Sequence, residues 1–182
     1  MLEMGISEFG EMHRLSEIAK PDIVVITNIG MCHLENLKTR DGILKAKTEI
    51  FDYMKEDGII CLNGDDDKLA GIGEAHGIRP HYYGSKPEHE VTAEHVVSKG
   101  LFGSDCIMKA GQDSYAVSIP LPGEHMILNA LAATTVAREL GLTSEEIIRG
   151  IAEVKPVGGR SNILCLTDYT VIDDCYNAIR SP

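Results

Sequence analysis

What most constrains this chain is the order strand, helix, strand written into its first third. Residues 22–27 (DIVVIT) form a short β-branched run, and residues 59–62 (IICL) form another. Runs rich in Ile and Val suit strands buried on both faces of a parallel sheet. Between them, Ile43, Leu44, Ile50 and Phe51 recur within residues 41–54 at the three-to-four spacing of an amphipathic helix. The three segments make a βαβ unit, which predicts an α/β domain with a mostly parallel sheet flanked by helices.

The texture changes over residues 91–119, where short alternating segments are broken by Gly100, Gly103 and Gly111. This predicts an antiparallel meander, a small β lobe over about residues 88–120 within a single domain spanning residues 1–182. Pro122 and Gly123 open a helical stretch that runs to Leu140 and stops at Gly141. Thr143 with Glu146 then writes a capping box for a helix ending near Glu153. Residues 162–166 and 170–174 predict two further strands joined by a turn.

Composition removes several function classes. With 17 basic against 28 acidic side chains the net charge is −11, which repels a phosphate backbone, so nucleic acid is not expected as a partner. Cys32, Cys61, Cys106, Cys165 and Cys175 are odd in number and never form a Cys-x-x-Cys pair, which fits a reducing cytoplasm better than a zinc or disulfide framework. No apolar run approaches the roughly 18 residues of a membrane helix, and Glu3, Glu8 and Glu11 stand where a secretory signal is basic. A cytoplasmic protein with no membrane contact is therefore expected.

Candidate chemistry gathers after the strands. Residues 27–37 (TNIGMCHLENL) leave the first strand and deliver Asn28, His33 and Glu35 to its carboxyl end, the edge at which open α/β sheets take ligands. A histidine there can also be a simple capping or packing residue. Lys47 leaves from the apolar stripe of its helix, whereas Lys45 points roughly 200° around it. An ammonium on such a face must snorkel, pair, lose its proton or be converted, for instance to a carbamate with CO₂. Asp65, Asp66 and Asp67 read as turn chemistry and a helix N-cap. Asn129 stands among Met126, Ala132 and Ala133, where its amide could face an adenine edge or satisfy nearby backbone. Arg160 after two glycines, and Asp174 at a strand end, are binding groups or solvated loop.

Seven pieces fall in a telling order: LEMG from Leu2, TNIGMCHLE from Thr27, AKTEIF from Ala46, LNGDD from Leu62, LPGEHMILNALAA from Leu121, GGR from Gly158 and DDCYNA from Asp173. In order and spacing they resemble the central ATP-binding domain of the Mur ligases, over essentially the whole chain. Within that family the HLE loop and the DDCYNA ending are most similar to the members that join D-alanyl-D-alanine to UDP-MurNAc-tripeptide. The resemblance implies ADP-forming amide synthesis with ATP and two Mg2+ ions. It implies Glu3 on one ion, and His33 with a carbamylated Lys47 on the second, the latter two also being the catalytic pair. It further implies Asn129 on adenine, Arg160 near the phosphates, Asp174 on the ribose and Asn28 near the nucleotide sugar.

The resemblance also sets expectations about what is missing. The Gly-Lys-Thr phosphate loop of the family is nowhere in the 182 residues and is expected upstream of Met1. Domains for the uridine moiety and for closure over ATP are likewise not in the sequence, so the chain alone is expected to be inactive. Without the strand that feeds the phosphate loop, exposed sheet edges and a homodimer through them are expected. After Ala178 the family pattern Asn-Pro is replaced by Ile179-Arg180-Ser181-Pro182. Another amino-acid-adding Mur-type ligase, a folylpolyglutamate synthase, and a non-catalytic nucleotide-binding or self-associating module are the competing expectations.

Overall fold

The computed structural model describes residues 1–158 and 160–174. Six strands form the main sheet in chain order: β1 (Ile23–Ile26), β2 (Ile59–Asn63), β3 (His81–Tyr83), β4 (Val91–Ser98), β5 (Ser104–Ala110) and β6 (Asp113–Ile119). The first four run parallel, with Val25 beside Cys61 and Asn63 beside Tyr83, and β4 to β6 turn antiparallel. The expected α/β class, mostly parallel with an antiparallel portion, is thus the one observed. The meander is the far half of the same sheet, joined to it through the Tyr83–Val91 pair. Gly103 makes its first turn possible: its φ is +93°, and a Cβ there would stand 1.9 Å from the Ile119 carbonyl oxygen. A hairpin of β7 (Asn162–Cys165) and β8 (Thr170–Asp173) forms a second sheet.

Strand alternation divides the interior in two. Val24, Ile26, Ile60 and Leu62 face one side, where α1 (Glu11–Ala19) and α3 (Arg40–Thr48) contribute Met12, Ile43 and Ala46 to one core. Tyr83, Val91, Met108 and Val117 belong to the other core, closed by Ile127 and Leu131 of α4 (His125–Glu139) and Ile147 of α5 (Ser144–Ala152). Full burial of Ile60 and Leu62 contributes about 2 kcal/mol each. Because α4 lies over β2 to β6, Val25 on that face of the end strand β1 stays 38% exposed. Among the described residues β1 pairs on one side only, so its outer edge is open.

Local signals account for most of these elements. The Thr143–Glu146 capping box is formed, with Thr143 Oγ accepting from the Glu146 amide and Glu146 accepting from the Thr143 amide. Gly141 follows α4 at φ +79° and ends it as expected. One continuous helix over residues 41–54 is not what forms: α3 stops at Thr48 and a 3₁₀ turn, Glu49–Tyr53, follows. The cause lies in α1, whose fully buried Ser16 donates to the Ile50 carbonyl at 2.7 Å and accepts from the Tyr53 amide at 3.2 Å. Those backbone groups are thereby diverted from an α-helical ladder.

No helix among the described residues is long and apolar enough to cross a membrane. Cys32 and Cys165 are exposed, while Cys61 and Cys106 are buried. Burial pushes the Cys61 thiol up to about 12, and the Cys106 thiol upward as well. Since the thiolate is the nucleophile, iodoacetamide at neutral pH should alkylate Cys32 and Cys165 and spare Cys61 and Cys106 until the chain is denatured. Peptide mass spectrometry checks this; labelling of Cys61 in the folded chain would contradict the packing of β2 under α4.

Candidate functional site

Where β1 ends, the backbone of residues 27–29 is left without ladder partners, and side chains from three directions take its polar groups. Asn63, buried at the end of β2, donates its Nδ2 to the Thr27 carbonyl at 2.9 Å. Lys47 donates from α3 to the Asn28 carbonyl at 2.8 Å. The Ile29 amide donates to Asp66 Oδ2 at 2.8 Å, and the Ile29 carbonyl accepts from Arg40 Nε at 3.0 Å. This pinned turn carries the chain into α2 (Leu34–Leu37) and thus past Cys32 and His33.

Lys47 sits in the last turn of α3, half-buried, while Lys45 is exposed and reaches over the Phe9 ring at 5.8 Å from its centroid. The helical period had separated these two lysines in that way. Burial holds the Lys47 ammonium below its ordinary range, with the charges of Cys32 and Asp66 pulling it partly back. It is bound to a carbonyl, which accepts from a neutral amine as well as from an ammonium.

The acidic turn after β2 is built for the backbone. Asp66, with only 9% of its side chain exposed, accepts from the Ile29, Lys68 and Leu69 amides. Asp67 takes a bidentate pair from Arg40, at 2.6 and 3.0 Å, and that guanidinium holds its carboxyl below the usual carboxylate range. A group depressed in this way contributes at neutral pH, and its contribution is lost as pH falls through its folded value. Lys68 returns a second ion pair to Asp41 at 2.5 Å. Asp65 accepts from the Ser85 amide at 2.6 Å and faces His89 Nε2 at 3.4 Å, in a space that a Cβ at Gly64, 2.3 Å from the ring, would fill. Local turn chemistry is thus the work of Asp66 alone, while Asp67 pairs with Arg40, Asp65 reaches Ser85, and the 3₁₀ turn that follows, Leu69–Gly71, has Lys68 at its N-cap instead of an aspartate.

The other candidates are placed as follows. His33 is exposed and left-handed at φ +62°, ahead of α2. Glu11 is held low first by the Ser7 and Glu8 amides, with a smaller pull from His33. Glu3 is exposed in the N-terminal segment before α1. Among the described residues no hydrogen bond or ion pair joins Glu3, His33 and Lys47, and no three His, Cys, Asp or Glu side chains stand at metal-binding spacing. Asn129 is exposed on α4 and donates only to Met126 Sδ at 3.5 Å, so among the described residues its amide is not spent on backbone. Asp174 accepts from the Ser161 amide at 3.1 Å, which ties the end of β8 to the start of β7, and the Arg160 amide donates to the Val157 carbonyl at 3.0 Å. Gly159 and residues 175–182, including the YNA portion of the last motif, lie outside the described residues.

Arg40 and Asp66 are the residues that sequence reading missed as parts of this site. Their partners are 11 and 37 positions away, respectively, and no local pattern announces such contacts.

Comparison with known proteins identifies the fold and the family. The family model described as the Mur ligase middle domain matches residues 1–137. The UDP-N-acetylmuramoyl-tripeptide–D-alanyl-D-alanine ligase of Bacillus subtilis is 34% identical over 180 residues, covering 98% of this chain and 38% of that protein. Its Escherichia coli counterpart is 31% identical over 183 residues, with 98% and 40% covered. Among solved structures, MurF from Acinetobacter baumannii superposes with a TM-score of 0.90 at 31% identity, over 98% of this chain and 39% of that one. MurF ligase from Thermotoga maritima in complex with ADP gives 0.84 at 29% identity, over 97% and 40%. The chain thus spans about two fifths of the length of these relatives. With its sheet, its pinned β1 turn and three quarters of its length within the middle-domain match, this chain belongs to the Mur ligase family.

Proposed function

We propose that this chain is the nucleotide-handling part of an ADP-forming ligase that joins D-alanyl-D-alanine to UDP-MurNAc-tripeptide. The observation that carries the reading is the half-buried Lys47, held on the Asn28 carbonyl at the carboxyl rim of a sheet that superposes on an ADP-bound MurF ligase. In such a reaction ATP phosphorylates the peptide carboxylate, and an amine then displaces phosphate from the acyl phosphate.

Burial of Lys47 favours the neutral amine, which is the form that adds CO₂. The nitrogen bonds to the CO₂ carbon, one proton leaves to solvent, and a carbamate anion results with one N–H remaining. That N–H still suits the Asn28 carbonyl, so the bond now in place survives the conversion. Carboxylate and carbamate oxygens are the hard donors that magnesium prefers; Glu3 would hold one ion, and the Lys47 carbamate with His33 the second. Bound magnesium would offset the negative charge gathering between nucleotide and carboxylate.

The remaining roles are those that the family resemblance implies. Asn129, whose exposed amide has among the described residues only a weak sulfur acceptor at Met126, offers donor and acceptor together to the adenine edge. Arg160 serves the phosphates and Asp174 the ribose from the hairpin, and the Asn28 side chain serves the nucleotide sugar. Replacing Asn129→Ala should weaken binding of magnesium-ADP about tenfold, the equivalent of one net hydrogen bond of the stronger kind. Isothermal calorimetry on both chains measures it. Equal affinities would remove Asn129 from the adenine site.

A further inference from the structure

Ile29 is the one residue of the β1 turn gripped at both its backbone groups, and both grips lead to the same small network. Its amide is taken by the nearly buried Asp66 at 2.8 Å and its carbonyl by Arg40 Nε at 3.0 Å. Arg40 in turn is fixed by its two-pronged pair with Asp67, and its NH2 lies 3.7 Å from Asp66. One guanidinium thus joins α3, the β1 turn and the acidic turn after β2. The neighbouring carbonyl, that of Asn28, is the one that meets Lys47.

We propose that Arg40 is a positioning residue: its planar fork, anchored on Asp67, holds the carbonyl of the Ile29–Gly30 peptide, and together with Asp66 on the Ile29 amide this fixes the adjoining Asn28–Ile29 peptide so that the Asn28 carbonyl faces the Lys47 nitrogen. The inference rests on the reading of Lys47 as the lysine that becomes a carbamate. It does not repeat that reading, because Arg40 touches neither Lys47 nor any ligand-facing group named above.

The shape of the guanidinium is what the role demands. Nε must reach the Ile29 carbonyl while NH1 and NH2 reach Asp67, three donors directed two ways from one rigid plane. A lysine carries the same charge, but its three donors radiate from a single nitrogen and do not reproduce the fork's three directed bonds. The pair with Asp67 is largely solvent-exposed, so it adds little to global stability. Its effect is local, on where two adjoining peptide units sit. The competing explanation is that Ile29, whose side chain is 1% exposed, holds the turn by burial alone.

The test compares the 182-residue chain with its Arg40→Lys and Arg40→Gln variants by two measurements. Amide hydrogen exchange at Ile29 is followed by NMR, with β2 core amides as the internal standard. Carbamate at Lys47 is followed by its ¹³C signal under ¹³C-bicarbonate. Both variants should exchange Ile29 at least tenfold faster than the parent, keep β2 protection, and show several-fold less carbamate. Asp67→Asn, a surface change that leaves Arg40 in place, should fall between and serves if an Arg40 variant does not fold. Parent-like exchange in Arg40→Gln would overturn the proposal, and so would full rescue by Arg40→Lys, since charge alone would then suffice. A parent chain without carbamate, combined with faster exchange in both variants, would sink the carbamate reading and leave the positioning role standing.

Discussion

Replacing Gly42→Ala should destabilise the chain by about 2 kcal/mol, although the position is helical and the same change usually helps a helix. A Cβ built at Gly42 stands 2.0 Å from the Leu37 carbonyl oxygen, 3.1 Å from the Leu37 carbonyl carbon and 3.4 Å from Phe9 Cζ. The first two are backbone atoms, so no rotamer change relieves them. Only a shift of α2 against α3 can, and that shift would be felt at Lys47, one and a half turns further along α3. Helix propensity favours alanine over glycine by up to about 1 kcal/mol, and overpacking against backbone costs up to about three times as much. The second effect wins. For a domain of this size the melting temperature should fall by roughly 6 °C, which scanning calorimetry reads directly. A midpoint equal to or above that of the parent would show that α2 and α3 do not approach as closely as drawn.

Legibility in this sequence follows the range of the interaction. Both β1 and β2 were readable because four apolar residues in a row, IVVI and IICL, announce a buried strand, and α5 was readable because its capping box spans four residues. By contrast, α1 was not anticipated. It starts after Gly10 at φ +84° with no side-chain cap of its own, and the Gly10 amide is taken at 2.9 Å by Glu49, 39 positions away. Three residues long, β3 is polar and aromatic, and it is a strand only because β2 and β4 lie on either side of it.

The candidate site divides in the same way. That Lys47, not Lys45, points inward follows from the helical period, which any 14-residue window displays. The turn that Asp66 closes on Lys68 and Leu69 is likewise local. Its bond to Ile29 and the fork of Arg40 on Asp67 close loops of tens of residues, and such contacts leave no periodic trace. Asn129 was undecided on spacing, because the residues around it are compatible with packing or with an open shelf. What the fold adds is that the amide stands exposed with a sulfur as its acceptor.

Asp66→Ala is the second change expected to have a large effect, and it separates the three adjacent aspartates by burial. Removing the carboxylate strips the Ile29, Lys68 and Leu69 amides of their acceptor at once. Partly buried donors left without partners cost about 1 to 3 kcal/mol apiece. Water admitted by the smaller side chain would recover part of this, so a net loss of about 3 kcal/mol is expected. Asp67→Ala removes a carboxylate that is 66% exposed and bonded to one guanidinium, and it should leave the urea midpoint nearly unchanged. Asp66→Asn keeps the shape and one acceptor oxygen but turns an NH₂ toward amide donors, which places it between the two. Urea titrations of the three variants test the ranking, and Ile29 amide exchange locates the loss. Similar midpoints for Asp66→Ala and Asp67→Ala would mean that the acidic turn is ordinary solvated loop. The backbone at the end of β1 would then be held by Asn63, Lys47 and the burial of Ile29 without it.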